Sequence, residues 1–143
     1  MKIRPATEAD AVRCAAVSHI RSAEDLRGLL HNSDTQWLVL ENDIAEVVGI
    51  GILHLWPWNK VVWVWDLTVE ATERSKGYGT ALLKGMIQAA REMGGRVLMD
   101  FGTAKPCELC DLYAKCGFRI CGTNDRWFAG DKDSTAVFYG YDL

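Results

Sequence analysis

Residues 64–83 read VWDLTVEATERSKGYGTALL, and their organisation decides how the rest of the chain is assigned. The first part is β-branched and aromatic, with the character of a strand. From Tyr78 onward apolar residues recur at helical spacing: Tyr78, Ala81, Leu82, Gly85, Met86, Ala89, Ala90 and Met93 form one stripe. Gly94-Gly95 marks its end. Between strand and helix lies a polar loop ending in Arg74-Ser75-Lys76-Gly77-Tyr78-Gly79, two cations and two glycines at a helix start. Three phosphate-binding designs can be tested against it. A P-loop needs G-x-x-x-x-G-K-[ST], which is absent. A dinucleotide fingerprint needs a third glycine where this chain has Leu82, and must follow its strand directly, whereas seven residues separate Val69 from Gly77. The third design needs only a helix N-terminus with unpaired amides, glycines that let an anion approach, and nearby cations. Taken alone, the loop reads more readily as a strand-to-helix turn than as that cradle, because Gly-rich turns usually serve geometry.

Working outward, KIRP is a short extended start, and Thr7 with Asp10 opens a helix whose Ala11, Cys14, Ala15 and Ser18 share a face. A second helix begins after Ser22 and stops near Asn32. The period then shortens. TQWLVLE and AEVVGIGILHLW flank Asn42-Asp43 as two strands and a turn, and Trp56-Pro57-Trp58-Asn59 makes the next turn. KVVWVWDLTVE is a third strand. A regular strand would put Val61, Trp63, Trp65, Leu67 and Val69 on one face and Val62, Val64, Asp66 and Thr68 on the other, with Trp63 and Trp65 in the core. Both faces are largely apolar, as in a central strand covered on both sides. After the long helix come a strand RVLMDFG, a short helix starting at Pro106, and two closing strands, FRICGT and TAVFYGYDL. The expected order is β-α-α-β-β-β-α-β-α-β-β, a mixed α/β fold with a central meander and one strand–helix–strand crossover.

The chain has 143 residues, enough for one domain with a real core. Its formal net charge of -3 supplies no basic footprint for nucleic acid. No apolar run approaches the ~20 residues of a membrane span, and the opening MKIRPATEAD lacks an export-signal core, so a cytoplasmic protein without membrane partners is expected. In that setting the five cysteines, Cys14, Cys107, Cys110, Cys116 and Cys121, are expected to be reduced and packed.

The strand DLTVE, the loop RSKGYG with its helix, and the downstream DLYAKCGF occur in the order seen in the GNAT N-acetyltransferase superfamily, which this chain resembles over essentially its whole length. The opening IRPATEAD is similar to that family's first strand and helix entry. The resemblance implies one N-acetyltransferase domain over residues 1–143, with a twisted, mostly antiparallel sheet of about six or seven strands and about four helices, splayed at the central strand. It implies acetyl-CoA as acyl donor and no metal. The cofactor-binding residues would be Leu67, Thr68 and Val69 on the splayed strand, and Arg74, Ser75, Lys76, Gly77, Tyr78, Gly79 and Thr80 in the pyrophosphate loop. A bulge would free amides of that strand, one of which could hold the developing oxyanion. Tyr113 matches the family tyrosine near the cofactor sulfur, a candidate acid for the leaving thiolate. Asp66, a lone carboxylate in an apolar strand, is the candidate general base or anchor for a substrate ammonium. The implied reaction is direct attack of a primary amine, from a small molecule or a peptide, within a ternary complex. One departure is Pro106, where many family members carry a pantetheine-binding asparagine.

Alternatives follow from the remaining residues. A protein that kept the cradle and lost turnover would be an acyl-CoA sensor. Cys107, Cys110, Cys116 and Cys121 could form a zinc or thiol module only if the fold gathers them. His54 reads as structural. Trp56 and Trp58, and Trp127 in the polar loop 122–134, could line an acceptor cleft for a cationic amine or form a dimer contact.

Overall fold

A computed structural model describes residues 1–129 and 134–143; the part of the 122–134 loop at 130–133 lies outside the described residues. Strands β1 (Lys2–Pro5), β2 (Thr35–Glu41), β3 (Val47–Trp56), β4 (Val61–Val69), β5 (Val97–Thr103), β6 (Arg119–Asn124) and β7 (Ala136–Asp142) form one sheet in the order β1-β2-β3-β4-β5-β7-β6. Helices α1 (Ala11–Ser18), α2 (Ala23–Leu29), α3 (Tyr78–Glu92) and α4 (Glu108–Lys115) complete the chain. Element types and order match the sequence reading. All strand pairs are antiparallel except β4 with β5, the pair joined through α3.

Each face of the sheet has its own core. Ala11, Cys14, Val17 and Leu26 of α1 and α2 pack on Trp37, Val39, Ile50 and Ile52. On the other face Leu82, Leu83, Met86, Ile87 and Ala90 of α3, with Tyr113 of α4, cover Leu53, Val62, Val64 and Leu98. Helix α3 lies so close to β3 that a Cβ on Gly51 would sit 2.7 Å from Met86 Sδ. The N-terminal entry is tied down by Asp10, whose carboxylate accepts from the Thr7 N–H (2.8 Å) and from both Arg4 terminal nitrogens. The Arg4 guanidinium holds that carboxyl below its usual range. Ser22 caps α2 as expected, its hydroxyl accepting from the Asp25 N–H at 3.1 Å.

Two features of β4 position the site. First, Asp66 pairs with Ile52 and Val64 with Leu53, so Trp65 is an extra residue with nothing opposite it. This bulge breaks the expected alternation. Val62 and Val64 pack on the α3 side, and beyond Trp65 it is Leu67 and Val69 that join them, while Asp66 turns toward α1. Trp65 itself is expelled from the core and 37% exposed, contrary to the regular-strand reading. Second, β4 and β5 pair only at Val61–Trp63 with Val97–Met99. Beyond Met99, β5 stays with β7 as far as Thr103. The edge of β4 from Val64 onward therefore has no partner strand on that side.

The cysteines also depart from expectation. Cys107 and Cys110 are paired as a disulfide, their Cα atoms 5.3 Å apart. The N-cap geometry of α4 brings them together: the Cys107 sulfur accepts from the Cys110 N–H at 3.2 Å, and the helix starts after Cys107, not at Pro106. Cys14, Cys116 and Cys121 are free, buried, half-buried and exposed respectively, and do not join them.

Candidate active site

Where β4 and β5 part, a groove of about 640 Å³ opens. One wall is the backbone and side chains of Leu67, Thr68 and Val69, the other the α4 face bearing Leu109 and Leu112, and one end is the start of α3 at Gly77, Gly79 and Thr80. The helix start has the geometry an anion site requires. Gly77 takes φ 82°, a left-handed conformation suited to glycine, and Ser75 takes 64°. The first bond of the α3 ladder runs from the Ala81 N–H to the Gly77 carbonyl at 3.1 Å. The amides of Tyr78, Gly79 and Thr80 thus precede the ladder, at the positive end of the helix dipole. A Cβ on Gly79 would meet Leu112 Cδ2 at 3.5 Å, so glycine here keeps the gap between α3 and α4 open.

The residues expected to bind the cofactor fall into two groups. Leu67, Thr68, Val69, Arg74, Ser75, Gly77, Gly79 and Thr80 line the groove together. Lys76 and Tyr78 do not: Lys76 pairs with Glu73 at 2.6 Å, and Tyr78 packs against the core beneath α3. Arg74 Nε donates to the Val69 carbonyl at 3.2 Å, tying the loop to the end of β4. Pro106 is not part of the groove lining; Glu108 and Asp111 of α4 are, with Lys115 as the cation on that wall.

Asp66 and Tyr113 lie on opposite sides of the sheet. The Asp66 carboxylate accepts from Ser18 Oγ (2.6 Å) and Thr68 Oγ1 (2.7 Å), and Arg21 Nε stands 3.9 Å away. Its side chain is nearly inaccessible and its oxygens are already engaged by α1 and β4. Tyr113 is fully buried, and its hydroxyl donates to Asp100 in an unusually close contact. Burial first, and then the neighbouring carboxylate, push the phenol far above its ordinary range, so Tyr113 is neutral.

Asp100 carries no motif in the sequence. It sits on β5 just past the last residue paired with β4, is 8% exposed, and accepts the Phe101 N–H at 2.8 Å. Burial raises its carboxyl to about 6, against the pull of the Tyr113 and Phe101 hydrogen bonds. A buried carboxyl poised near neutrality is suited to taking and returning a proton. The available signal was the one used for Asp66, a single carboxylate inside an apolar strand.

Residues 5–118 match the acetyltransferase (GNAT) family. The chain belongs to that family. As a GNAT protein it is 24% identical over 99 residues to the streptothricin acetyltransferase of Streptomyces lavendulae, matching over 69% of this chain and 52% of that one. The chain thus spans about half the length of that relative. The ribosomal-protein-alanine N-acetyltransferase of Brucella melitensis superposes over 100% of both chains with TM-score 0.84 and 25% identity. A putative streptothricin acetyltransferase from Bacillus anthracis, solved with acetyl coenzyme A, superposes on 81% of this GNAT chain and 66% of its own, with TM-score 0.73 and 22% identity. Among the described residues no group of three or more His, Cys, Asp or Glu could hold a metal ion, and no helix is long and apolar enough to cross a membrane.

Proposed function

We propose that this protein transfers the acetyl group of acetyl-CoA to a primary amine by direct attack in a ternary complex. The observation that carries the reading is the groove where β4 leaves β5, closed at one end by the unpaired amides of α3. The groove has the features the donor needs: a free strand edge at Leu67–Val69 for the amide-bearing arm, and helix-start amides at Tyr78–Thr80 for the pyrophosphate. When bound, the donor supplies an acetyl thioester.

Two proton transfers remain for the chain. The attacking amine must lose a proton, and the departing thiolate is assisted by gaining one. Asp100 and Tyr113 are not among the residues lining the groove; we assign them as a unit on their shared hydrogen bond and on the position of Asp100 where β4 and β5 part. Ionised Asp100 accepts the amine's proton. As Asp100 Oδ2 returns its proton to Tyr113 Oη, the phenol passes its own to the thiolate, restoring the pair to its starting state. The hydrogen bond from Tyr113 to Asp100 supports this coupling, since the phenol proton already points at the carboxylate. We assign Asp66 to holding β4 against α1 at the bulge, because Ser18, Thr68 and Arg21 already occupy it.

A thermal shift with acetyl-CoA, set against free CoA and zinc, tests the binding claim; no shift with either CoA species overturns it. Thiol release across an amine panel then separates an enzyme from a non-catalytic acyl-CoA sensor, which would bind the donor and release no thiol with any amine.

A further inference from the structure

On the sheet face opposite α3, helix α1 ends at His19 in a left-handed conformation, φ 61°, and the chain turns back so that Arg21 lies over the β4 bulge. Its guanidinium is fixed by three contacts with two residues, Trp65 and Asp66. Nη2 donates to the Trp65 carbonyl at 3.2 Å, Nε faces Asp66 Oδ2 at 3.9 Å, and the central carbon lies 5.8 Å from the centre of the Trp65 ring. Trp65 is braced in turn by His54, stacked at 4.0 Å with an 11° interplanar angle, and His54 Nδ1 is 3.0 Å from the Thr35 hydroxyl. The arrangement therefore holds a cation rigidly at a bulge, where strands tend to re-aim side chains toward function.

The guanidinium is not saturated. Nη1 has no acceptor among the described residues, Nη2 has a second hydrogen, and Nε is buried without a hydrogen-bond partner. Its one nearby carboxylate, Asp66, already accepts from two hydroxyls. A planar fork that is partly exposed and has spare donors on Nη1 and Nη2 matches a carboxylate. The same fixed positive charge repels a second ammonium.

We infer that Arg21 reads a carboxylate on the acceptor, so that the preferred acceptors are amino acids whose reacting amine ends a carbon chain. This rests on the N-acetyltransferase reading of the groove and names its substrate class. Arg21 stands over Trp65, two strand positions before the first groove residue, Leu67, and on the sheet face away from α3, so a molecule held by the guanidinium must reach at least about 7 Å, past the open edge of β4, to meet the groove. An α-amine adjacent to its own carboxylate is too short to span that interval, whereas the side-chain amine of a lysine-like molecule reaches it. A diamine of the same length is that molecule without its carboxylate, so it keeps an ammonium near Arg21 and offers the fork no acceptor.

The test uses matched pairs, L-lysine with cadaverine and L-ornithine with putrescine, in thiol-release assays at saturating acetyl-CoA, with wild type, Arg21→Gln and Arg21→Lys. The readout is the ratio of kcat/KM within each pair, which cancels any loss of folded enzyme in a variant. Wild type is expected to favour the carboxylate member about tenfold or more, Arg21→Gln to bring the ratio near one, and Arg21→Lys to retain part of it. A wild-type ratio near one, or a preference that survives in Arg21→Gln, overturns the inference. So does thiol release with other amines but with neither member of a pair. Failure of acetyl-CoA to shift the melting temperature would instead overturn the functional reading on which it rests.

Discussion

Asp100→Asn separates the stability and the chemistry of the buried pair. In the folded protein burial lifts the Asp100 carboxyl from 3.8 to about 6, so its neutral form is favoured. A folded pKa above the unfolded one means the group's contribution to stability is full below about pH 3.8 and is lost as pH rises through about 6. Two units correspond to about 3 kcal/mol, the amount by which the ionised carboxylate weakens the fold at neutral pH. Asparagine cannot ionise. It can still meet the Phe101 N–H through its oxygen, and its amide can donate to Tyr113 if the phenol turns to accept. The stability of Asp100→Asn minus that of wild type should therefore climb by about 2 kcal/mol between pH 4 and pH 7, read from urea unfolding at a series of pH values. Thiol release should fall by about 10²–10⁴-fold, because the amide cannot accept the amine's proton. The wild-type kcat/KM should fall along an acidic limb centred near pH 6 as Asp100 protonates. A stability difference flat across this window would refute the burial argument, and unchanged turnover would refute the base assignment.

Tyr113→Phe removes a hydrogen bond that lowers the Asp100 pKa, so the acidic limb of kcat/KM should move to higher pH, and turnover should fall more than acetyl-CoA affinity. Gly79→Leu adds a side chain whose first atom meets only Leu112 at 3.5 Å; the fold should hold, while acetyl-CoA affinity measured by titration drops about tenfold or more. Gly77→Ala meets nothing within 4 Å but forces an L-residue to φ 82°, and should cost about 1–2 kcal/mol in chemical denaturation. Ser18→Ala withdraws a buried donor from Asp66 and should cost about 1–3 kcal/mol; a neutral result would show that Asp66 does not anchor α1 to β4.

The order of strands and helices was legible because each element carries its own period. The helical stripe from Tyr78 to Met93, the apolar runs of β2 and β3, and the turn residues between them are local signals, and local packing obeys them. The bulge at Trp65 was legible only through family resemblance. Its residues keep a plausible alternation through the irregularity, and a tryptophan in an apolar strand reads as core. What decides the face of Asp66 is the offset against β3, where Ile52 and Leu53 face Asp66 and Val64. That offset is a property of two strands and is written in neither. The cysteine pair was hidden for a related reason: the spacing C-x-x-C suits several chemistries, and only the cap of α4 brings the two sulfurs together.

The site shows the same division. The loop glycines, the strand edge and Tyr113 carry motifs, because a backbone conformation or a helix position demands a particular residue type. Asp100 carries none. In sequence it is one acid among apolar neighbours, as Asp66 is, and the difference between them lies in what the fold brings to each. Asp66 accepts one hydroxyl from α1 and one from β4 itself, with the Arg21 guanidinium of the following turn nearby, so both its oxygens are tied to structure. Asp100 receives one phenol and one backbone amide, in a setting dry enough to raise its carboxyl to about 6. Two carboxylates in similar strands therefore part company through their partners. Asp100, with one phenol and one amide as partners in a dry setting, is left poised to exchange a proton near pH 6.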